Sequence, residues 1–150
     1  MSLSGIQAAC DARFATIGFD SSRVILSNVS YQPTAGKGYV ISQFLVTGSG
    51  GEGSTLGASQ SVGGAGTIVR WDGSYIVDCV WPQDAGMDGA TQLADKVLSL
   101  FPRGLVLLTS DSPAVRVVFN APAPRAPAED GSGVWVRGSV SCPWFAFIQT

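Results

Sequence analysis

Apolar residues recur at intervals of three and four through Leu3, Ile6, Cys10, Phe14 and Ile17, which puts them on one narrow stripe of a helix over residues 3–17. Ser2 is placed to cap this helix and Gly18 to end it. The period then changes to two. Residues 23–26 form a short strand, and residues 39–47, YVISQFLVT, are rich in β-branched and aromatic side chains and predict a central strand. Further on, Tyr75, Val77, Cys79 and Trp81 alternate with Ile76, Asp78 and Val80, a strand with one mainly apolar face that Pro82 terminates. Just before it stands Asp72-Gly73. This pair supplies the positive φ angles of a tight turn, so the pattern predicts a hairpin with arms at 67–71 and 74–81.

The helical period returns after residue 88. Ala90, Leu93, Ala94, Val97, Leu98, Leu100 and Phe101 fall within an arc of roughly 160°, opposed by Gln92, Asp95, Ser99 and Arg103. Asp84 and Asp88 precede or cap the helix, Lys96 and Arg103 lie toward its C-terminal end, and Pro102 and Gly104 stop it, in keeping with the helix dipole. Short strands follow at 105–109 and 115–120, separated by the turn formers at 110–113. In the last strand Val134, Val136, Val140, Cys142, Trp144, Ala146 and Ile148 share one parity, and Gly138 and Pro143 predict a bulge or bend.

Two stretches break the periodicity. Residues 47–66 hold eight of the 19 glycines with serine and threonine beside them, too little apolar surface to offset the entropy of ordering, so a flexible loop is expected with one short ordered patch near 55–58. Residues 121–133, APAPRAPAEDGSG, read as a Pro-rich loop or arm. The order is α-β-β-β-β-α-β-β-β, with the strand pairs antiparallel and two main helices on one sheet: an α+β fold in a single domain spanning 1–150. A doubly wound parallel fold is excluded because only one strand-helix-strand passage exists.

Composition narrows the chemistry. With 45% apolar residues the chain can bury one core, and its nine basic and eleven acidic residues give a net charge of −2 with no basic cluster, which argues against nucleic acid as the partner. No basic-then-apolar leader opens the sequence and no run approaches the ~20 residues of a bilayer span, so a soluble protein without a membrane partner is expected. Cys10, Cys79 and Cys142 are widely spaced and predicted to be buried free thiols in a reducing cytoplasm. The chain has no histidine, which removes Ser-His-Asp and Cys-His catalysis and the commonest zinc ligand together. Asp72, Asp84, Asp88, Asp95 and Asp111 each have a turn, cap or wet-face explanation. Asp78 lies mid-strand, where a cross-strand ion pair with an arginine accounts for it better than catalysis. Asp84, Asp88 and Glu52 lack the spacing of a calcium loop, Gly36-Lys37-Gly38 lacks the rest of a phosphate loop, and the glycines at 48–53 lack the βαβ setting of a dinucleotide site. No catalytic, cofactor-binding or metal residue is assigned. The candidate interaction residues are Trp71 and Trp135, which could project outward as anchors, with Gly51, Glu52 and Arg125 in the two loops.

The run RWDGSYIVDCVWP at 70–82, the loop DAGMDG, the helix ATQLADKVLSLF and the strand at 134–148 together resemble the tail terminator, or minor tail, proteins of long-tailed bacteriophages, small α+β domains. The resemblance covers most of the chain. It implies a structural subunit of a phage or prophage virion with no cofactor, monomeric when free, assembling as a six-fold ring on the tail tube end. There it would stop tube growth and present a surface to a head-completion protein. Its partners would be other copies of itself, the tail tube protein and the head-completion protein, and its places the bacterial host cytoplasm during assembly and then the virion tail. Another head-tail connector or tube-associated protein is the alternative, and a small-ligand-binding protein or enzyme with a pocket against the sheet is a third reading.

Overall fold

The computed structural model describes residues 3–26, 29–49, 55–56 and 68–149. Helix α1 (Leu3–Phe14) is followed by strands β1 (Val24–Ile25), β2 (Tyr39–Ser49), β3 (Thr55–Leu56) and β4 (Ile68–Pro82). Helix α2 (Asp88–Leu100) then leads to β5 (Val106–Leu108), β6 (Arg116–Phe119), β7 (Ala123–Glu129) and β8 (Trp135–Gln149). The strands form one sheet in the order β1-β2-β4-β8-β6-β5, with β3 beside β4 and β7 beside β8. The fold is α+β, as the periodicities predict.

The largest departure from expectation is at residues 72–73. There is no hairpin: the chain runs straight through Asp72 and Gly73 as part of the 15-residue strand β4. Gly73 is not among the glycines with positive φ, so the conformational freedom that makes Asp-Gly a turn former is unused. A different property of glycine is used instead. Gly73 pairs with Trp144 of β8, and a Cβ at this position would overlap the Trp144 indole and the Leu45 carbonyl. Asp72 points to the other face, where its Oδ1 accepts from Nη2 of Arg70 at 2.7 Å. The expected bulge in β8 is also absent from its pairing with β4, which proceeds without a shift from Ile68↔Gln149 to Pro82↔Trp135. Pro143 is accommodated opposite Ser74, and its carbonyl accepts from the Asn120 amide at 2.9 Å.

This long β4–β8 pair carries the core on one face. Tyr75, Val77 and Cys79 of β4 and Val140, Cys142, Trp144 and Ala146 of β8 are fully or almost fully buried against Ile6, Cys10 and Phe14 of α1 and Leu93, Ala94 and Val97 of α2. Both helices therefore cover the same face, and the predicted stripes are the ones that dock. The Tyr75 hydroxyl donates to Asp11 Oδ1 at 2.6 Å, fixing α1 to the sheet, and Arg13 Nε donates to the Leu100 carbonyl at 2.9 Å, fixing it to the end of α2. Helix α1 ends at Phe14, short of the predicted limit at 17, but Ile17 still reaches the core. Helix α2 begins at Asp88 with Met87 at the N-cap position, so Asp88 occupies the first turn and is not the cap. Gly89 lies against the Trp81 ring, where any Cβ would collide, and this close approach seats the start of α2 on the sheet. The three cysteines are free and buried, as expected.

The remaining differences lie at the edges. β1 is parallel to β2, through Val24↔Val40 and Ile25↔Ile41, where all pairs were expected to be antiparallel. β2, expected to be central, has β4 on one side and only the two residues of β1 on the other among the described residues. Of the ordered patch foreseen near 55–58, the first two residues are strand β3, pairing Thr55↔Val69 and Leu56↔Ile68; the loop expected over 47–66 begins later than foreseen, since β2 runs to Ser49, and its other residues lie outside the described ones. Residues 121–133, read as a Pro-rich loop, contain β7, which runs along β8 with a register shift between Arg125 and Ala128. Prolines are tolerated there because an edge strand needs hydrogen-bond donors on one side only.

Candidate functional site

The face of the sheet opposite the helices is where functional chemistry must be sought, because the helix face is filled by the core. Along β4 it presents Arg70, Asp72, Ser74, Ile76 and Asp78, and along β8 Arg137, Ser139, Ser141, Pro143, Phe145 and Phe147. Its end near residues 135–137 carries a second, smaller cluster in which Ile25, Tyr39 and Val80 are buried and Tyr31, Ile41 and Trp135 pack on them. The rest lies open. Phe145 and Phe147 meet edge to face with ring centres 5.9 Å apart, Phe147 is 40% exposed, and Leu45 on β2 is 44% exposed. Val118 of β6 sits opposite Phe145, and Val106 of β5 opposite Val118, so the apolar strip continues across the sheet. The Arg70 guanidinium lies 4.6 Å above the Phe145 ring while bonded to Asp72. Both charges are more than a third exposed, so the pair contributes little to stability, and it keeps a charged rim beside an apolar strip.

Two shallow grooves flank this surface. One, of about 570 Å³, is lined by Ala35, Gly36, Pro82, Gln83, Asp84, Gly133, Val134 and Trp135. The other, of about 530 Å³, brings Asp78, Arg125, Glu129, Asp130 and Arg137 together between β4, β7 and β8. In the second, Arg137 Nη1 donates to Asp78 Oδ2 at 3.4 Å, the cross-strand arginine pair that the mid-strand carboxylate predicts. Burial pushes the Asp78 carboxyl above its usual range, and the Arg137 charge offsets only part of that. Among the described residues no group of three or more His, Cys, Asp or Glu side chains is placed to hold a metal ion.

The structure separates the sequence-derived candidates. Trp71 turns toward the helix face and packs, half-buried, on the main core. Trp135 is on the open face, half-buried, edge to face with Tyr39 at 5.7 Å and at the rim of the first groove. Arg125 is exposed on β7 beside the second groove. Gly51 and Glu52 lie outside the described residues. Phe145, Phe147 and Leu45 were not among the candidates. The signal for the two phenylalanines was in the sequence, since they fall on the parity of the last strand opposite to its buried face.

A family model described as phage tail terminator protein matches residues 5–144. The chain belongs to the phage tail terminator family. Membership makes it a structural protein of the phage tail, associated with tail components. No curated protein sequence matches it. Among solved structures, one chain of 19% sequence identity superposes with a TM-score of 0.64, covering 100% of this terminator-family chain and 97% of the other; at that identity it supports the fold alone.

Proposed function

We propose that the protein is the tail terminator itself, a single domain over residues 1–150 whose copies form a ring on the end of the tail tube, stop its growth and present a surface to the head-completion protein. The number of subunits that the resemblance implies is six, and assembly takes place in the cytoplasm of the bacterial host. The observation that carries this reading is the open face of the sheet: with its helices all on one side, the molecule leaves Leu45, Phe145 and Phe147 and a charged rim at Arg70 and Asp72 for a partner to cover. Trp135 and Arg125 flank that face and join the contact, to which Gly51 and Glu52 are proposed to contribute as well. Trp71 supports the strand from behind. A chain with this surface works by being covered, and the family's association with tail components gives it something to cover it.

The test is to incubate purified protein with isolated tail tubes and image the ends. A ring of density on one end of each tube, and none on tubes mixed with the Phe145→Asp, Phe147→Asp double variant, is the expected result. Wild-type protein that leaves every tube end bare overturns the reading.

A further inference from the structure

The exposed edges of the sheet are not protected alike. β7 carries two prolines, Pro124 and Pro127, charges at Arg125 and Glu129 and a register shift, the devices by which natural sheets prevent strand addition. β2 shares only the register shift, between Val46 and Gly48 against β4; its sequence YVISQFLVTGS contains no charge and no proline. Since β1 meets it only at Val40 and Ile41, the side of residues 43–48 that faces away from β4 has no strand against it among the described residues. At the far end of the sheet, β5 is also uncharged, reads VLL, pairs only with β6 among the described residues and exposes 38% of Val106 and 63% of Leu108. An edge without charge or proline offers a row of main-chain donors and acceptors to another strand, and the described residues present such edges toward both ends of the sheet.

We infer that residues 43–48 of β2 pair, main chain to main chain, with β5 of a second copy of this chain. The choice of occupant follows from the position of the two edges. Joining β2 of one copy to β5 of the next is a heterologous contact: it leaves one edge of each kind free at the ends, so it repeats, and it closes into a ring where the rotation between neighbours closes. Pairing β2 with β2 would stop at two copies. Leu45, Val106 and Leu108 all belong to the open face, so the same contact joins their apolar surfaces into one strip across the joint. β5 has three residues, which keeps each ladder short and self-association weak until a tube end gathers the copies. This inference rests on the ring reading above and specifies its contact.

The experiment uses full-length protein carrying Leu45→Lys or Leu108→Lys, both at exposed side chains, with Thr47→Lys as a second β2 variant; a lysine on an edge opposes strand addition. Each variant should unfold at the wild-type temperature, and each alone should fail to form rings on tail tubes. Mixed at high concentration, the β2 variant and the Leu108→Lys variant should give a heterodimer and nothing larger, because one good edge of each kind remains. In assembled wild-type rings those amides of residues 43–48 that point away from β4 should exchange at least tenfold more slowly than in the free subunit. Wild-type rings with unchanged exchange at 43–48, or β2 variants that form rings normally, overturn the edge contact and leave the terminator reading standing. A Leu108→Lys homodimer, or slow exchange of the outward-pointing amides of 43–48 already in the monomer, overturns it in favour of a β2–β2 contact or of cover by the chain's own glycine-rich stretch. Wild-type protein that never rings a tube end overturns both.

Discussion

Gly73 and Trp144 stand directly opposite one another in the β4–β8 ladder, and the indole occupies the volume that a side chain at position 73 would need. The Trp144 ring in turn lies parallel to that of Phe44, with centres 5.4 Å apart, so three adjacent strands are locked together at this level of the core. Gly73→Ala should therefore destabilise the protein by about 1–3 kcal/mol, as overpacking of a filled site does. In a Trp144→Leu background the overlap with the indole is relieved while that with the Leu45 carbonyl remains, so the same substitution should cost less than it does in the wild type. Denaturant unfolding of the four proteins gives the coupling directly. Equal costs in both backgrounds would show that the Leu45 carbonyl, and not the tryptophan, excludes a side chain at position 73.

Asp78 yields a pH prediction with a definite sign. Its carboxyl is raised above the ordinary value of 3.8 chiefly by burial, so the folded protein holds this proton more tightly than the unfolded chain does. Over the pH range from the unfolded value up to the raised folded one, the unfolded state has released the proton and the folded state has not; stability from this group therefore falls as pH rises through that range and is recovered on acidification. Asp20 and Asp130, held low by their bonds to Ser22 and Ser132, act in the opposite sense, so the comparison must be made between variants. Asp78→Asn should lose less stability than the wild type as pH is raised from 4 toward 7. Parallel curves for the two proteins would contradict the assignment.

The thiols give the third prediction. Burial pushes both Cys79 and Cys142 up to about 12 and raises Cys10 as well, with the Asp11 charge adding to the effect at Cys10. The reactive thiolate is then scarce at neutral pH. A disulfide-exchange reagent at pH 8 should find no fast-reacting thiol in the native protein and three in denaturant. A fast phase before unfolding, or fewer than three after it, would contradict the buried free state.

How much of this was legible follows from where the information lies. The stripes Ile6-Cys10-Phe14 and Leu93-Ala94-Val97 were readable because a helix face repeats locally, and the buried parity of the last strand was readable for the same reason. The turn at 72–73 was misread because Asp-Gly carries two meanings, a positive φ or a missing side chain, and only Trp144, 71 residues further along, decides between them. β7 was misread because proline speaks against a central strand but not against an edge, and whether a strand is an edge is a property of the whole sheet. The open face was half legible: Phe145 and Phe147 showed in the alternation, whereas Leu45 is part of it only because β2 lies beside β4. The Asp78–Arg137 pair could be anticipated in kind, though the choice of arginine came from register.

Tail length tests the central claim most directly. Particles should be assembled with the gene for this protein removed, their tubes measured by electron microscopy, and the purified protein then supplied. The account predicts overlong tubes of variable length in its absence and a return to one uniform length when it is present during assembly. Tubes of normal, uniform length without the protein would contradict it.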